Sequence, residues 1–372
     1  MLSRNARQCS ARRVTIDGTP RLLSQVVMRA IPLVTLALLT LLATPIARGQ
    51  EVQAAPQQAS AATSSAAIQL EGEIVSYWQF GVVVSSPAGA VNGIVATLPV
   101  PTAWPEQAVK KMGEEITPLV GKVSYRKLDG VTQMVVTIPR LAMGDEARAV
   151  VTLQITKRAI TPPSDGTATL LPRKTAATVS KYLKPSPFIE STDKKIRELL
   201  PEITGEVEAP WDQSEAIFKW VRENVRYEFA EKISPAIEAL EARKGDCEEL
   251  SSLFIAFCRA SKIPARAVWV PGHCYPEFYL EDAEGKGHWY PCQAAGAAYD
   301  FAKMNEARPI LQKGDNFKVP EERLPQRYVK QTLKAANATA NPVVKFVMQQ
   351  VNEDGTPISP ANAAVDAPVV AE

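Results

Sequence analysis

The sequence predicts an α+β protein in which a β-sandwich precedes a domain that mixes helices and strands. Three observations carry this expectation. Residues 68–160 contain short runs of alternating apolar and polar side chains, the pattern of half-buried strands. After about residue 160 the apolar positions recur three and four apart, as on a helix face. Thr161-Pro162-Pro163 and Ser164-Asp165-Gly166 punctuate the change. At 372 residues the chain has ample length for one to three buried cores.

The first 49 residues read as a signal peptide. Ile31 to Ala43 is a short apolar run, too short for a confident membrane span of about 20 residues. Arg29 precedes it, and Ala47 and Gly49 place small residues at −3 and −1 of a cut before Gln50. Met28 offers a more usual signal start than Met1. Secretion or a periplasmic location follows, with no stable membrane span after cleavage, in a compartment that permits disulfides. The leader also distorts the charge balance. The chain has 42 basic and 40 acidic residues, but residues 1–49 hold seven Arg and one acid, leaving 35 against 39. A mildly acidic body provides no electrostatic footprint for nucleic acid.

Residues 50–67, rich in Ala, Gln and Ser, read as a disordered linker because they cannot offset their ordering entropy by burial. The β-sandwich is expected over 68–160. Val123 to Lys127 and Val131 to Ile138 flank Asp129-Gly130, a hairpin-turn dipeptide. Val151, Leu153 and Ile155 alternate with polar residues, whereas Glu106 to Glu115 reads as a short helix or a loop. The second domain is expected over 161–330. Asp212 and Glu215 suggest a capping box before a helix carrying Ile217, Trp220, Val221 and Val225. A second helix should begin near Cys247 and bury Leu250, Leu253, Phe254, Phe257 and Cys258. Residues 331–372 read as a flexible tail, with Val343 to Met348 able to dock back.

The chemistry concentrates at Gly245-Asp246-Cys247. A cysteine at a helix N-terminus faces unpaired N–H groups and the positive end of the helix dipole, which lower a thiol pKa. The same N–H groups can hold an oxyanion. Gly245 is expected to let the chain turn sharply into the helix. The flanking Asp246, Glu248 and Glu249 oppose a thiolate, and Glu238 to Glu249 reads as a solvated acidic face. A thiolate nucleophile needs a proton partner, and the chain has two histidines, His273 and His288. His273 opens a strand, while His288 reads as a turn-exit residue. A hairpin about Asp282-Ala283-Glu284-Gly285, centred near Ala283, sets His273 opposite Gln293 and Cys274 opposite Cys292. Gln293 would then orient the imidazole, with Asp282 or Asp300 as substitutes, and Cys274–Cys292 could form a disulfide. Trp289 and Tyr290 are candidates to line a cleft. His273 and Cys274 point to opposite strand faces, which disfavours a zinc site. No cofactor or metal is expected.

GDCEELSSLFIAFCRASKIPAR, HCYPEFYLED and HWYPCQ, in this order, resemble the transglutaminase-like superfamily with its papain-like Cys/His site. Lys262-Ile263-Pro264-Ala265-Arg266 stands where the family motif has Gly-Ile-Pro-Ala-Arg. His273-Cys274-Tyr275-Pro276-Glu277 stands for His-Ala-Trp-x-Glu, and Trp289 to Gln293 for Trp-x-x-x-Asp. Trp220-Val221 and Val225-Arg226-Tyr227 extend the resemblance, which covers about residues 180–300. It implies a transglutaminase-like domain with Cys247 as nucleophile and His273 as general base. The family's Asp position holds Gln293. The implied function is a secreted cysteine enzyme that cleaves amide or peptide bonds of a protein or peptide substrate through a thioester, with hydrolysis and acyl transfer to an amine both open. The alternative is a scaffold or binding module that kept the fold and lost turnover.

Overall fold

The computed structural model describes residues 66–358, so the signal peptide, residues 50–65 of the linker and the last fourteen residues of the tail lie outside the described residues. The chain forms β1 (Gln69–Ser85), β2 (Val91–Val100), β3 (Gln107–Ile116), β4 (Lys122–Leu128), β5 (Val131–Leu141) and β6 (Glu146–Thr161). Helices α1 (Ala177–Ser180), α2 (Lys194–Thr204) and α3 (Pro210–Asn224) follow, then β7 (Arg226–Tyr227), α4 (Ala236–Ala242), β8 (Lys244–Gly245) and α5 (Cys247–Ala260). The remaining strands are β9 (Ala265–Val270), β10 (His273–Glu281), β11 (Gly287–Pro291), β12 (Gln312–Lys313), β13 (Thr332–Lys334), β14 (Asn337–Ala338) and β15 (Val343–Val351).

Two sheets pack face to face, as the alternation in the sequence predicts. One has the order β15-β1-β6-β3, and the other runs β11-β10-β9-β12-β5-β2-β13, with β14 on β2 and β4 on β5. Phe80, Val82 and Val84 of β1 meet Ala149, Val151 and Leu153 of β6 and, across the sandwich, Ile94 to Val100 of β2 and Met134 to Ile138 of β5. Gly81 is required there, because a Cβ would sit 2.1 Å from the Ala149 carbonyl oxygen. Asp129-Gly130 turns the β4–β5 hairpin, with Leu128 paired to Val131 and Gly130 at φ +84°.

Several expectations change. Residues 107–116 are strand β3, neither helix nor loop. As an edge strand it pairs only with β6 and leaves most of its Lys and Glu side chains in water, so no hydrophobic period marks it. The expected tail is structured up to residue 358. β13 and β14 pair with β2, and β15 lies on β1 from Tyr77↔Val351 to Ser85↔Val343. Backbone hydrogen bonds along the free edge of β1 hold this segment, and composition does not report them. At the other end Ala66 and Ala67, assigned to the linker, are buried, and the Tyr290 hydroxyl donates to the Ala66 carbonyl at 2.6 Å. The two regions read as separate in the sequence share one sheet, because Gln312 of β12 pairs with both Val131 of β5 and Trp269 of β9.

Helix α5 is the centre of the second core. Glu249 through Arg259 are all buried, packed on β9 and β10 and covered by α2, α3 and α4. Arg259 fixes its far end. This guanidinium donates to Asp315 at 2.7 and 2.9 Å, to the Ala265 carbonyl at 2.7 Å and to the Lys184 carbonyl at 2.8 Å. Both ends of the ion pair are excluded from solvent. A second buried network joins the sandwich to β9 and β10, since Lys313 lies 2.7 Å from Glu106 and 3.0 Å from Glu277, which also binds Arg266. Among the described residues no helix is long and apolar enough to cross a membrane.

Removing one partner of a buried pair leaves an uncompensated charge. Asp315→Ala is therefore expected to lower unfolding free energy by about 3–5 kcal/mol, read by chemical denaturation, with Asp315→Asn losing less.

Candidate active site

The residues before α5 build a reciprocal cap. The Asp246 side chain accepts from Glu248 N at 2.7 Å, the Glu249 carboxylate accepts from Asp246 N at 2.9 Å, and Asp246 forms the capping box with residue 249. Glu249 also accepts from Ser234 N at 2.7 Å, which ties α5 to the approach of α4. The capping box expected at Asp212 and Glu215 does not start a helix, because α3 begins at Pro210, with Ala209 as its N-cap. Gly245 is needed for space rather than for a left-handed turn. Its φ is not positive, and a Cβ would meet the Glu249 Cβ at 2.5 Å. With the Asp246 carboxylate holding the N–H groups of Glu248 and Glu249, the N–H of Cys247 is the helix-terminal donor left beside the thiol.

His273 opens β10 and lines the same cleft as Cys247. Its Nε2 lies 2.9 Å from Gln293 Oε1, which leaves Nδ1 for the thiol. Gln293 is held on both sides, since its N–H donates to the Asp300 carbonyl at 2.8 Å and its carbonyl accepts from Arg222 at 2.7 Å. The two acids that could have replaced it do not. Asp282 binds His288 at 3.0 Å, and Asp300 meets Gln293 through its backbone.

The hairpin register differs from the expected one by two residues. Glu277 pairs with Pro291 and Phe278 with Tyr290, so the turn centres near Glu284, closed by Gly285 at φ +81°. Gln293 reaches His273 because the chain leaves the ladder after Cys292, whose N–H donates to the Pro276 carbonyl at 2.9 Å. The same shift removes the expected Cys274–Cys292 pair. Cys292 sits beside Phe301, Cys274 lies against Cys247, and all four described cysteines are free thiols. Cys258 is fully buried in the α5 core, as its stripe predicts. Trp289 and Tyr290 do not line the cleft. Trp289 stacks under Arg266 at 3.9 Å, and Tyr290 packs on Trp211 and Phe278 in the core.

Cys247, Asp246, Glu248 and His273 line a cleft of about 370 Å³ with Tyr227, Phe229, Trp269 and Tyr328. Tyr227 belongs to the Val225-Arg226-Tyr227 match, whereas Phe229, Trp269 and Tyr328 carry no signal of their own in the sequence. Phe229 is 73% exposed at the cleft, a large apolar surface left to water. Among the described residues no group of three or more His, Cys, Asp and Glu is arranged to hold a metal.

The electrostatics favour an ionised sulfur. A hydrogen bond from the Cys274 side chain, joined by the His273 imidazole and opposed by burial, pushes the Cys247 thiol down to about 4. Burial works against a charged His273, but the Cys247 sulfur and Gln293 outweigh it and raise its pKa. The acids beside the thiol oppose it less than their number suggests. Burial and the Glu249 carboxylate push Asp246 up to about 7. Burial also raises Glu248, although Arg327 partly offsets it at 3.3 Å. Glu249 is buried inside the cap and Asp246 and Glu248 are half-buried, so within the acidic run the solvated face is limited to Glu238 and Glu241.

The family described as the transglutaminase-like superfamily matches residues 197–294, a span that contains Cys247, His273 and Gln293. This region belongs to the transglutaminase-like superfamily. The fold of this chain recurs in a crystal structure described as a candidate cysteine protease from Cytophaga hutchinsonii. That structure is 16% identical, with a TM-score of 0.51 over 79% of this chain and 96% of that one. The periplasmic domain of TgpA from Pseudomonas aeruginosa is 10% identical over 59% of this chain and 87% of that one. Its TM-score is 0.29, too low for argument. An uncharacterized protein of Haemophilus influenzae is 29% identical over 35% of this chain. This chain spans 42% of that relative's length.

A thiol held near 4 stays ionised where ordinary thiols are protonated. Iodoacetamide labelling of Cys247, followed by peptide mass spectrometry, is expected to rise through an inflection near pH 4 and to persist at pH 5–6. The imidazolium partner is lost only as pH rises through the elevated His273 pKa. The buried Cys258 and Cys292, whose pKa values are raised, should stay unlabelled across that range.

Proposed function

We propose that this protein is an exported cysteine enzyme that cleaves amide or peptide bonds through a thioester on Cys247. The observation that carries the reading is that Cys247 and His273 line one cleft, with the imidazole Nε2 anchored 2.9 Å from the Gln293 amide oxygen. The Cys247 thiolate attacks the carbonyl carbon and forms a C–S bond. The oxyanion develops next to the Cys247 N–H at the start of α5. His273 gives its proton to the leaving nitrogen as the C–N bond breaks. Water, deprotonated by His273, then hydrolyses the thioester, or an amine accepts the acyl group. Gln293 orients the ring without adding charge, so it acts by positioning.

The substrate class is a protein or peptide, which suits an open cleft lined by Tyr227, Phe229, Trp269 and Tyr328. Nucleic acid is not a partner on this reading, given the mildly acidic body of the chain. Export rests on the leader at residues 1–49. A scaffold role is the second reading, and the neutral Gln293 at the family's Asp position favours it.

Incubation with an activated peptide ester and intact-mass analysis separates the two. Wild type is expected to accumulate an acyl adduct on Cys247, which Cys247→Ala abolishes. His273→Ala should slow acylation by about 10²–10⁴-fold, and Gln293→Ala should slow it by less. No adduct on Cys247 with any activated ester would leave the scaffold reading standing.

A further inference from the structure

We propose that Glu306 and Arg308 are positioning residues that clamp the turn before His273 and so tie the imidazole to the β-sandwich. The inference rests on the reading of His273 as the proton carrier for Cys247. Both residues lie beyond the 197–294 span that matches the family. Strand β9 ends at Val270, which pairs with His273 at the start of β10, so Pro271 and Gly272 form a two-residue turn. Proline fixes a negative φ at the first turn position, which excludes both turn types that suit the twist of a hairpin. Gly272 follows at φ +70°, the conformation of a type II turn. Such a turn works against the strand twist, so its geometry has to be held from outside the hairpin.

Arg308 supplies that hold. Its Nη1 donates to the Pro271 carbonyl at 3.1 Å. This carbonyl belongs to the central peptide of the turn, the plane whose rotation interconverts types I and II. The guanidinium is itself fixed, because its Nε and Nη2 donate to the two Glu306 oxygens at 2.9 and 2.6 Å. Glu306 also accepts from the Arg308 backbone N–H at 2.9 Å, which closes the clamp on its own backbone. The segment that carries the clamp is anchored to the sandwich at both ends. Met304 and Ile160 of β6 exchange backbone hydrogen bonds at 2.8 and 2.9 Å. The Gln107 side chain of β3 accepts from Ile310 N at 2.6 Å and donates to its carbonyl at 3.0 Å. Ile160, Met304 and Ile310 pack in one buried cluster with Val270 and Tyr275, which stand on either side of the turn. Direct contacts therefore run from β3 and β6 to the peptide that leads into His273. The Arg308 cation also opposes protonation of His273, so charge has to be separated from position.

The test is single-turnover acylation of the full chain by an activated peptide ester, in the wild-type and His273→Ala backgrounds. One variant combines Glu306→Gln with Arg308→Gln and removes the clamp without leaving a lone charge. The other, Arg308→Lys, keeps the cation but loses the planar fork, and it serves alone if the first fails to fold. With His273 present, both variants are expected to lower the maximal acylation rate by about 10–100-fold, with the half-saturating ester concentration unchanged. In the His273→Ala background the same substitutions should cost less than about twofold, since the group they position is gone. Equal losses in both backgrounds overturn the inference, because the clamp would then act independently of His273. Full activity in Arg308→Lys also overturns it and assigns the effect to charge. Unchanged acylation in both variants, beside an active wild type, overturns the clamp and leaves the nucleophile reading intact. No acylation in wild type overturns that reading and this inference with it.

Discussion

The burial of α5 is the constraint on which the site depends. A helix with every side chain from Glu249 to Arg259 enclosed cannot slide or rotate without opening the core. Its last turn is pinned through Arg259 to Asp315, Ala265 and Lys184. Its first turn is pinned through Glu249 to Ser234 and Asp246. With both ends fixed, the backbone of Cys247 is held in the cleft that His273 also lines. The sandwich contributes at a distance. Its β5 continues through β12 into β9, so the sheet that carries His273 rests on the β-rich half of the chain.

Charge is distributed around the site in an uncommon way. The third group is an amide, and the carboxylates nearest the sulfur are buried, capped or paired. Asp246 is spent on helix N–H groups and pushed up to about 7, which reduces its charge near neutral pH. Arg327 answers Glu248. What remains to act on the thiol is a helix terminus, an imidazole and the neighbouring Cys274 thiol, all of which favour the anion.

The parts of the fold governed by local pattern were legible in the sequence. The Leu250–Cys258 stripe, the Asp129-Gly130 turn and the cysteine at the start of a helix each follow from short-range rules, and the structure contains all three. What escaped depended on partners far along the chain. The Val343 to Met348 run docks back as expected, but the rest of β13 to β15 reads as a tail because their partners β1 and β2 lie more than 230 residues away. β3 reads as helix or loop because an edge strand needs no apolar face. The hairpin register was misjudged by two residues because Gly285 closes the turn later than the middle of the polar run. That error kept the strand faces correct, since the side-chain period is two. His273 consequently still met Gln293, while the expected Cys274–Cys292 pair dissolved. The neighbour that Cys274 gained, Cys247, is visible only once α5 is laid on β10.

The central claim is that Cys247 and His273 titrate as one thiolate–imidazolium pair. With two histidines in the chain, NMR titration of the imidazole resonances can follow His273 directly. The account predicts a pKa above the ordinary histidine value in the wild type. It also predicts a fall below that value in Cys247→Ala, where burial acts without the sulfur to oppose it. An His273 pKa that is the same in both proteins would contradict it.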